Sequence, residues 1–162
     1  LTLLKNKDRN SLKALFVSEV FAGRSESEVS EQGVLFADRV ANGWMRDDVV
    51  KRLRWHQSQG HVVVLVSASL SPYLEPLGDL LEVDAVLCTE LESDGKVFTG
   101  KIRGTNCRGP EKVRRLQSWC DSSGIPVSSV RYAYGDSSGD TEMLASVENP
   151  NYVKKIELEM VP

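Results

Sequence analysis

Three observations place this chain in the α/β class, as a doubly wound, mainly parallel Rossmann-like sheet entered through helices. A continuous β-branched run, His61-Val62-Val63-Val64-Leu65-Val66, has the pattern of a strand covered by helices on both faces. From residue 47 onward, helical and extended patterns alternate. Two strand patterns end in small polar residues, Ser67-Ala68-Ser69 and Gly135-Asp136-Ser137-Ser138-Gly139-Asp140. An open parallel sheet binds its ligands there, beyond the carboxyl ends of its strands.

The elements follow in order. Leu12, Leu15, Phe16 and Val20 recur at helical spacing, so a first helix is expected over Ser11–Phe21. Gly23 ends it, and Ser25-Glu26-Ser27-Glu28 opens a second helix with its own cap. Val29, Leu35, Phe36 and Val40 form its stripe as far as Asn42-Gly43. Asp47 to Gln59 reads as a third helix, with Val50, Leu53 and Trp55 apolar and Gly60 as its stop. The His61–Val66 strand follows, then a helix over Tyr73–Leu81 and a second buried strand over Asp84–Cys88. Ser93-Asp94-Gly95-Lys96 lies between extended stretches and is expected to turn a hairpin. Glu111–Asp121 is amphipathic and ends near Gly124; Ser129–Tyr134 is a third strand; Asp140–Val147 is a short helix. A final strand is expected within Tyr152–Met160.

Composition excludes several classes. Hydrophobic residues are 41% and charged residues 27%, which is a globular balance and not a disordered one. No apolar run of about 18 residues exists, so no membrane span is expected. Twenty Lys and Arg against 23 Asp and Glu give a net charge of -3, and nothing electrostatic calls for a nucleic-acid partner. Cys88, Cys107 and Cys120 are odd in number and form no Cys-x-x-Cys pair, which points to free thiols in a reducing, cytoplasmic setting. With only His56 and His61 available, zinc hydrolysis and Ser-His chemistry are disfavoured. Leu1–Asn10 lacks the apolar core of a signal peptide, and the leading Leu1 is read as a start partway into a longer protein.

The chemistry-bearing residues gather at one expected edge. Ser67 and its neighbouring amides suit a phosphate cradle. Asp136 and Asp140 offer hard oxygens of the kind a divalent cation takes. Lys112, opening a helix after Gly109-Pro110, brings a cation to the same edge. Singly, each has a plainer role: Ser67 as a turn former, Asp140 as a helix-dipole partner, Lys112 as a solvated lysine. Their order along the chain gives them joint weight.

Val64-Leu65-Val66-Ser67, then Lys112, then Tyr134-Gly135-Asp136-Ser137-Ser138-Gly139-Asp140 resemble the second, third and fourth motifs of the haloacid dehalogenase superfamily. The nearest branch is the phosphoserine-phosphatase-like one, which carries a helical cap after its first strand. The stretch Leu91–Gly100 resembles that branch's hairpin, and Asn106-Cys107-Arg108-Gly109 its approach to the lysine. The resemblance implies a helical cap remnant over residues 1–45 and a core over residues 46–162. It implies a Mg²⁺-dependent phosphomonoester hydrolase that forms an aspartyl-phosphate, with a small phosphorylated substrate as its partner. Ser67 and Ala68 would bind the phosphate, Lys112 would stabilise the phosphoryl charge, Asp136 would ligate Mg²⁺, and Asp140 would complete the catalytic set. Substitution of Lys112 is then expected to act on turnover with the fold intact.

One departure stands out. The family's first motif, Asp-x-Asp-x-Thr after a hydrophobic strand, does not occur; Asp47-Asp48 is adjacent and opens a helix, and Asp8 follows no strand. The resemblance therefore implies that the nucleophile, the acid/base and the central strand lie upstream of Leu1, and that this chain alone is inactive. A non-catalytic relative that binds a phosphorylated ligand or a protein partner is the alternative. A nucleotide-binding module is disfavoured because no Gly-x-Gly-x-x-Gly follows a strand. Phosphoserine, other small phosphomonoesters and phospholipid head groups stay open as substrates. Phe16, Phe21, Phe36 and Trp44 are expected to pack the cap rather than to touch a ligand.

Overall fold

The computed structural model describes residues 8–153. Helix α1 (Arg9–Phe21) starts where the Asp8 carboxylate accepts a hydrogen bond from the Ser11 N–H at 2.8 Å. Helix α2 (Glu26–Gly43) starts on a Ser25 side-chain cap, and α3 (Asp47–Ser58) carries Asp47 and Asp48 in its first turn. Carboxylates there favour the positive end of the helix dipole. All three helices lie where the sequence predicts them, within a few residues.

Strand β1 (Val64–Leu70) differs from its expected span at both ends. The ladder starts at Val64 because Asp84 occupies the preceding backbone: Val63 N–H donates to its carboxylate at 2.7 Å, and Val63 C=O accepts from its N–H at 2.9 Å. The strand then runs on through Ser67, Ala68 and Ser69. Pairing with β2 (Ala85–Thr89) goes from Val66↔Leu87 directly to Leu70↔Thr89, so the serine stretch is a bulge. A bulge re-aims side chains, and this one lies at the edge of a cavity.

Helix α4 (Ser71–Leu81) packs on α2, and Gly33 allows the close approach: a Cβ there would lie 1.9 Å from the Pro72 carbonyl oxygen. Strands β3 (Leu91–Ser93) and β4 (Phe98–Ile102) form the expected antiparallel hairpin. Its turn is held by the Asp94 carboxylate, which accepts from the Lys96 and Val97 N–H groups. Helix α5 (Pro110–Ser123) ends at Gly124 in the left-handed region, φ 66°. The third core strand is shorter than expected: Val127–Ser129 make a 3-10 turn after Pro126, and β5 covers Tyr132–Gly135. Helix α6 is Thr141–Ala145 and β6 is Asn149–Tyr152. The last strand thus precedes most of its expected span, and residues 154–160 of that span lie outside the described residues.

The sheet is present as two parallel pairs, β1–β2 and β5–β6, and among the described residues no ladder joins β1 to β5. A slot of about 590 Å³ separates them. Val62–Val66 line one wall, Ser129–Tyr134 the other, and Leu53 and His56 of α3 sit over it. One core cluster lies under α1 and α2 (Val17, Val29, Leu70, Leu91, Phe98), a second between α2 and α4 (Ala37, Leu74, Leu77, Leu81, Cys88). A third, Ala133, Met143 and Leu144, joins β5 to α6. Among the described residues no helix is long and apolar enough to cross a membrane.

Candidate active site

A cavity of about 930 Å³ opens at the carboxyl ends of β1 and β5. Every residue singled out from the sequence lines it: Ser67, Ala68, Lys112, Asp136 and Asp140.

Lys112 is its hub. The side chain is buried, only 6% exposed, in the first turns of α5. Its Nζ donates to the Val66 carbonyl at 2.8 Å and to Asp140 Oδ1 at 2.5 Å. One ammonium therefore ties β1, at the residue before its bulge, to the start of α6, across the unpaired middle of the sheet. The plainer reading, a solvated lysine, does not hold. Nor does a purely catalytic one, because the Lys112–Asp140 pair is buried on both sides and removing one partner leaves an uncompensated charge.

Asp140 is 5% exposed. Its Oδ2 accepts from the Ser137 N–H at 3.0 Å and from the Ser137 hydroxyl at 2.7 Å. Burial works against the charged form, but the hydrogen bonds from Lys112 and Ser137 outweigh it and hold the carboxyl below its ordinary value. Gly135 makes room for this arrangement, since a Cβ there would lie 2.5 Å from Asp140 Cβ.

Asp136 is exposed and faces the same cavity as Ser67. Arg46 is close enough for the Asp136 carboxylate to raise its pKa, after the larger effect of its hydrogen bonds to Asp48. Ser67 Oγ accepts from the Ser69 N–H at 3.1 Å, which leaves its hydroxyl hydrogen for a ligand. The donor chemistry fits a hard divalent cation in kind, since the carboxylates at this edge are oxygen ligands without thiolate or imidazole neighbours. In number the set is partial: both Asp140 oxygens are engaged by protein donors, and no cluster of three or more His, Cys, Asp or Glu among the described residues is placed to hold a metal.

Sequence reasoning missed four cations of the same cavity: Lys13, Arg24, Arg46 and Arg108. Lys13 donates to the Ala68 carbonyl, so α1 is tied directly to the bulge. Arg108 donates to Ser138 Oγ at 2.9 Å, and the absence of a side chain at Gly139 lets its guanidinium pass: a Cβ there would lie 2.4 Å from Arg108 Nη1. Arg108 stood inside the recognised Asn106–Gly109 stretch, so a signal existed; Lys13 and Arg24 carried none. The aromatic residues pack as expected in part: Phe21 sets its edge against Phe98 and Phe36 against Tyr73, but Phe16, Phe21 and Phe36 also line the cavity, and Trp44 is 68% exposed beside Phe36.

The sequence model of haloacid dehalogenase-like hydrolases matches residues 4–145, and the chain belongs to that family. It is 33% identical over 149 residues to Protein CicA of Caulobacter vibrioides, across 91% of this chain and 65% of that protein. Its structure is similar to a protein of unknown function from Bordetella pertussis Tohama I, with TM-score 0.78 and 26% identity over 89% of this chain and 65% of that one. An unliganded probable phosphoserine phosphatase from Vibrio cholerae shares the fold, with TM-score 0.63 and 18% identity over 88% of this chain and 41% of that one. The chain spans 65% of the length of the Caulobacter and Bordetella relatives.

Proposed function

We propose that this chain is the greater part of a Mg²⁺-dependent phosphomonoester hydrolase that works through an aspartyl-phosphate, with the nucleophile on a strand upstream of Leu1. In this reading α1 and α2 belong to a cap over residues 1–45, and the remainder is the core. The observation that carries it is the buried Lys112, joined to Val66 of β1 and to Asp140 in a cavity that Ser67 and Asp136 also line. The slot between β1 and β5 supports it further, because both strands offer an unpaired edge to an extended segment.

The residues divide the work as phosphoryl transfer requires, by positioning and charge neutralisation. Ser67 donates its hydroxyl to a phosphate oxygen, and backbone amides of the bulge lie beside it. Lys112 faces the phosphoryl oxygens and the nucleophile. Asp140 fixes Lys112 and orients Ser137. Asp136 would supply an oxygen ligand to Mg²⁺, whose chemistry when bound is to neutralise charge on the phosphate.

Phosphate release from p-nitrophenyl phosphate tests this in the full-length gene product. Turnover that EDTA abolishes, with a phosphate adduct on an aspartate upstream of Leu1 by mass spectrometry, is the expected result. Mg²⁺-dependent turnover by residues 1–162 alone overturns the assigned nucleophile. A full-length protein that binds phosphate but never turns over favours the non-catalytic alternative.

A further inference from the structure

We infer that the cavity selects phosphomonoesters whose leaving group is apolar and carries no ammonium, so that phosphoserine is a poor substrate. This rests on the phosphatase reading of the site.

The lining away from Ser67 and Lys112 comes mainly from α1, α2 and the turn between them, with Pro72 and Tyr73 of α4 and Arg46 and Val49 at the start of α3. It is aromatic and basic. Phe16 and Phe36 line the cavity while remaining 53% and 38% exposed, and Val20 is 37% exposed beside them. Large apolar side chains left open inside a cavity gain free energy when a ligand covers them, at roughly 25 cal/mol per Å². Of the cavity's cations, Arg24 stands in the turn between α1 and α2, while Lys13 reaches from α1 to the Ala68 carbonyl beside the phosphate end. Lys13 bonds to a carbonyl, Arg24 bonds to the Gln32 amide at 3.1 Å, and neither forms an ion pair among the described residues. Among the described residues, the carboxylates that line the cavity are Asp136 and Asp140, both at the phosphate end.

A substrate ammonium would therefore meet two cations and aromatic edges, with no carboxylate among the described lining residues to take it. Desolvating an unpaired ammonium is costly. Removing the ammonium lifts that cost and its repulsion from Lys13 and Arg24, while an apolar leaving group covers Phe16 and Phe36. A carboxylate or second phosphate on the same group would be tolerated.

The test measures both Kd by calorimetry and kcat/KM for the full-length protein on three esters: O-phosphoserine, its deamino analogue 3-phosphooxypropionate, and 1-naphthyl phosphate. The expected order in both quantities is naphthyl phosphate best and phosphoserine worst, with the deamino analogue at least tenfold better than phosphoserine. Phe16→Ala should lower the naphthyl-to-phosphoserine ratio at least threefold, and Arg24→Glu should move selectivity toward phosphoserine. Both side chains are at least partly exposed, so neither variant should unfold the protein. Equal or better use of phosphoserine, in Kd or in kcat/KM, overturns the inference. Turnover of none of the esters overturns the phosphatase reading alone; the Kd order then still decides the pocket. Adding lysophosphatidate micelles separates a lipid source of the apolar group from a soluble aromatic one.

Discussion

The two cavities of this molecule sit side by side and are built on opposite principles. The one at the strand ends is organised around charge: short hydrogen bonds tie Lys112 to Asp140 and Asp140 to Ser137, and Arg108 bonds the adjacent Ser138. The slot between β1 and β5 is organised around backbone: its walls are the valines of β1 and the residues leading into β5, with strand edges that no described ladder pairs. The polar site is assembled although the sheet beneath it is divided. Lys112 explains how, since its two hydrogen bonds reach both halves.

The comparison is broken most severely by activity without the slot's occupant. Residues 1–162 should release no phosphate from any phosphomonoester, while the full-length protein does so. In the full-length protein Lys112→Ala should lower kcat by about 10²–10³, the effect of losing one preorganised donor worth about 2.7–4 kcal/mol. The sequence alone predicts that this variant keeps its fold. The buried pair adds a stability cost, about 3–5 kcal/mol when one partner of such a pair is removed. Calorimetric melting should therefore show a lower Tm for Lys112→Ala, partly restored in Lys112→Ala/Asp140→Asn. An unchanged Tm would mean that the two halves are held together by something else.

The slot is tested by association. Open edges on β1 and β5 should pair with other chains, so residues 1–162 should run above monomer mass by light scattering. A monomeric preparation with a cooperative melt would show that the edges are satisfied without a further strand.

Much of the polar site was legible in the sequence and much of its wall was not. Ser67, Lys112, Asp136 and Asp140 each follow an element whose pattern is strong, and a parallel sheet sends such residues to one edge. The hairpin was legible for a local reason, the Asp94-Gly95 turn. The bulge was not, because it arises from pairing with β2 and leaves no mark on the run of valines. Lys13 lies on α1, far from Ala68 in sequence, and Arg24 lies in the turn after α1, so only the packing of α1 and α2 brings both to the cavity. The same packing makes Phe16, Phe21 and Phe36, expected to pack the cap, part of the cavity wall as well.

A smaller change sharpens the polar side. Gly135→Ala puts a Cβ 2.5 Å from Asp140 Cβ, in a spot without free volume. Overpacking of this kind costs about 1–3 kcal/mol, and here the group displaced is the partner of Lys112. Both Tm and kcat should fall, with KM less affected. A variant with wild-type kcat would show that the position of Asp140 has slack.

The smallest expected effect belongs to the slot wall and is read in pH. His56 is buried; its Nδ1 lies 2.9 Å from His61 Nδ1 and its Nε2 lies 2.9 Å from the Tyr134 hydroxyl. Two facing Nδ1 atoms need one donor and one acceptor, so the pair is satisfied only while at least one ring is neutral. Burial lowers the His56 pKa from 6.5, and the nearby His61 and Arg52 lower it further; Trp55, Tyr132 and Tyr134 are its other ring neighbours. A histidine depressed in the folded state binds protons more readily when unfolded. Its contribution is therefore fully present above pH 6.5 and is lost as pH falls through the folded-state value. Urea midpoints should drop between about pH 7 and pH 5, and His56→Phe should flatten that limb after allowance for the lost Tyr134 hydrogen bond. A wild-type limb that stays equally steep in the variant would remove His56 as its cause. A segment that fills the slot in the full-length protein would bury His56 further, so the limb should steepen there.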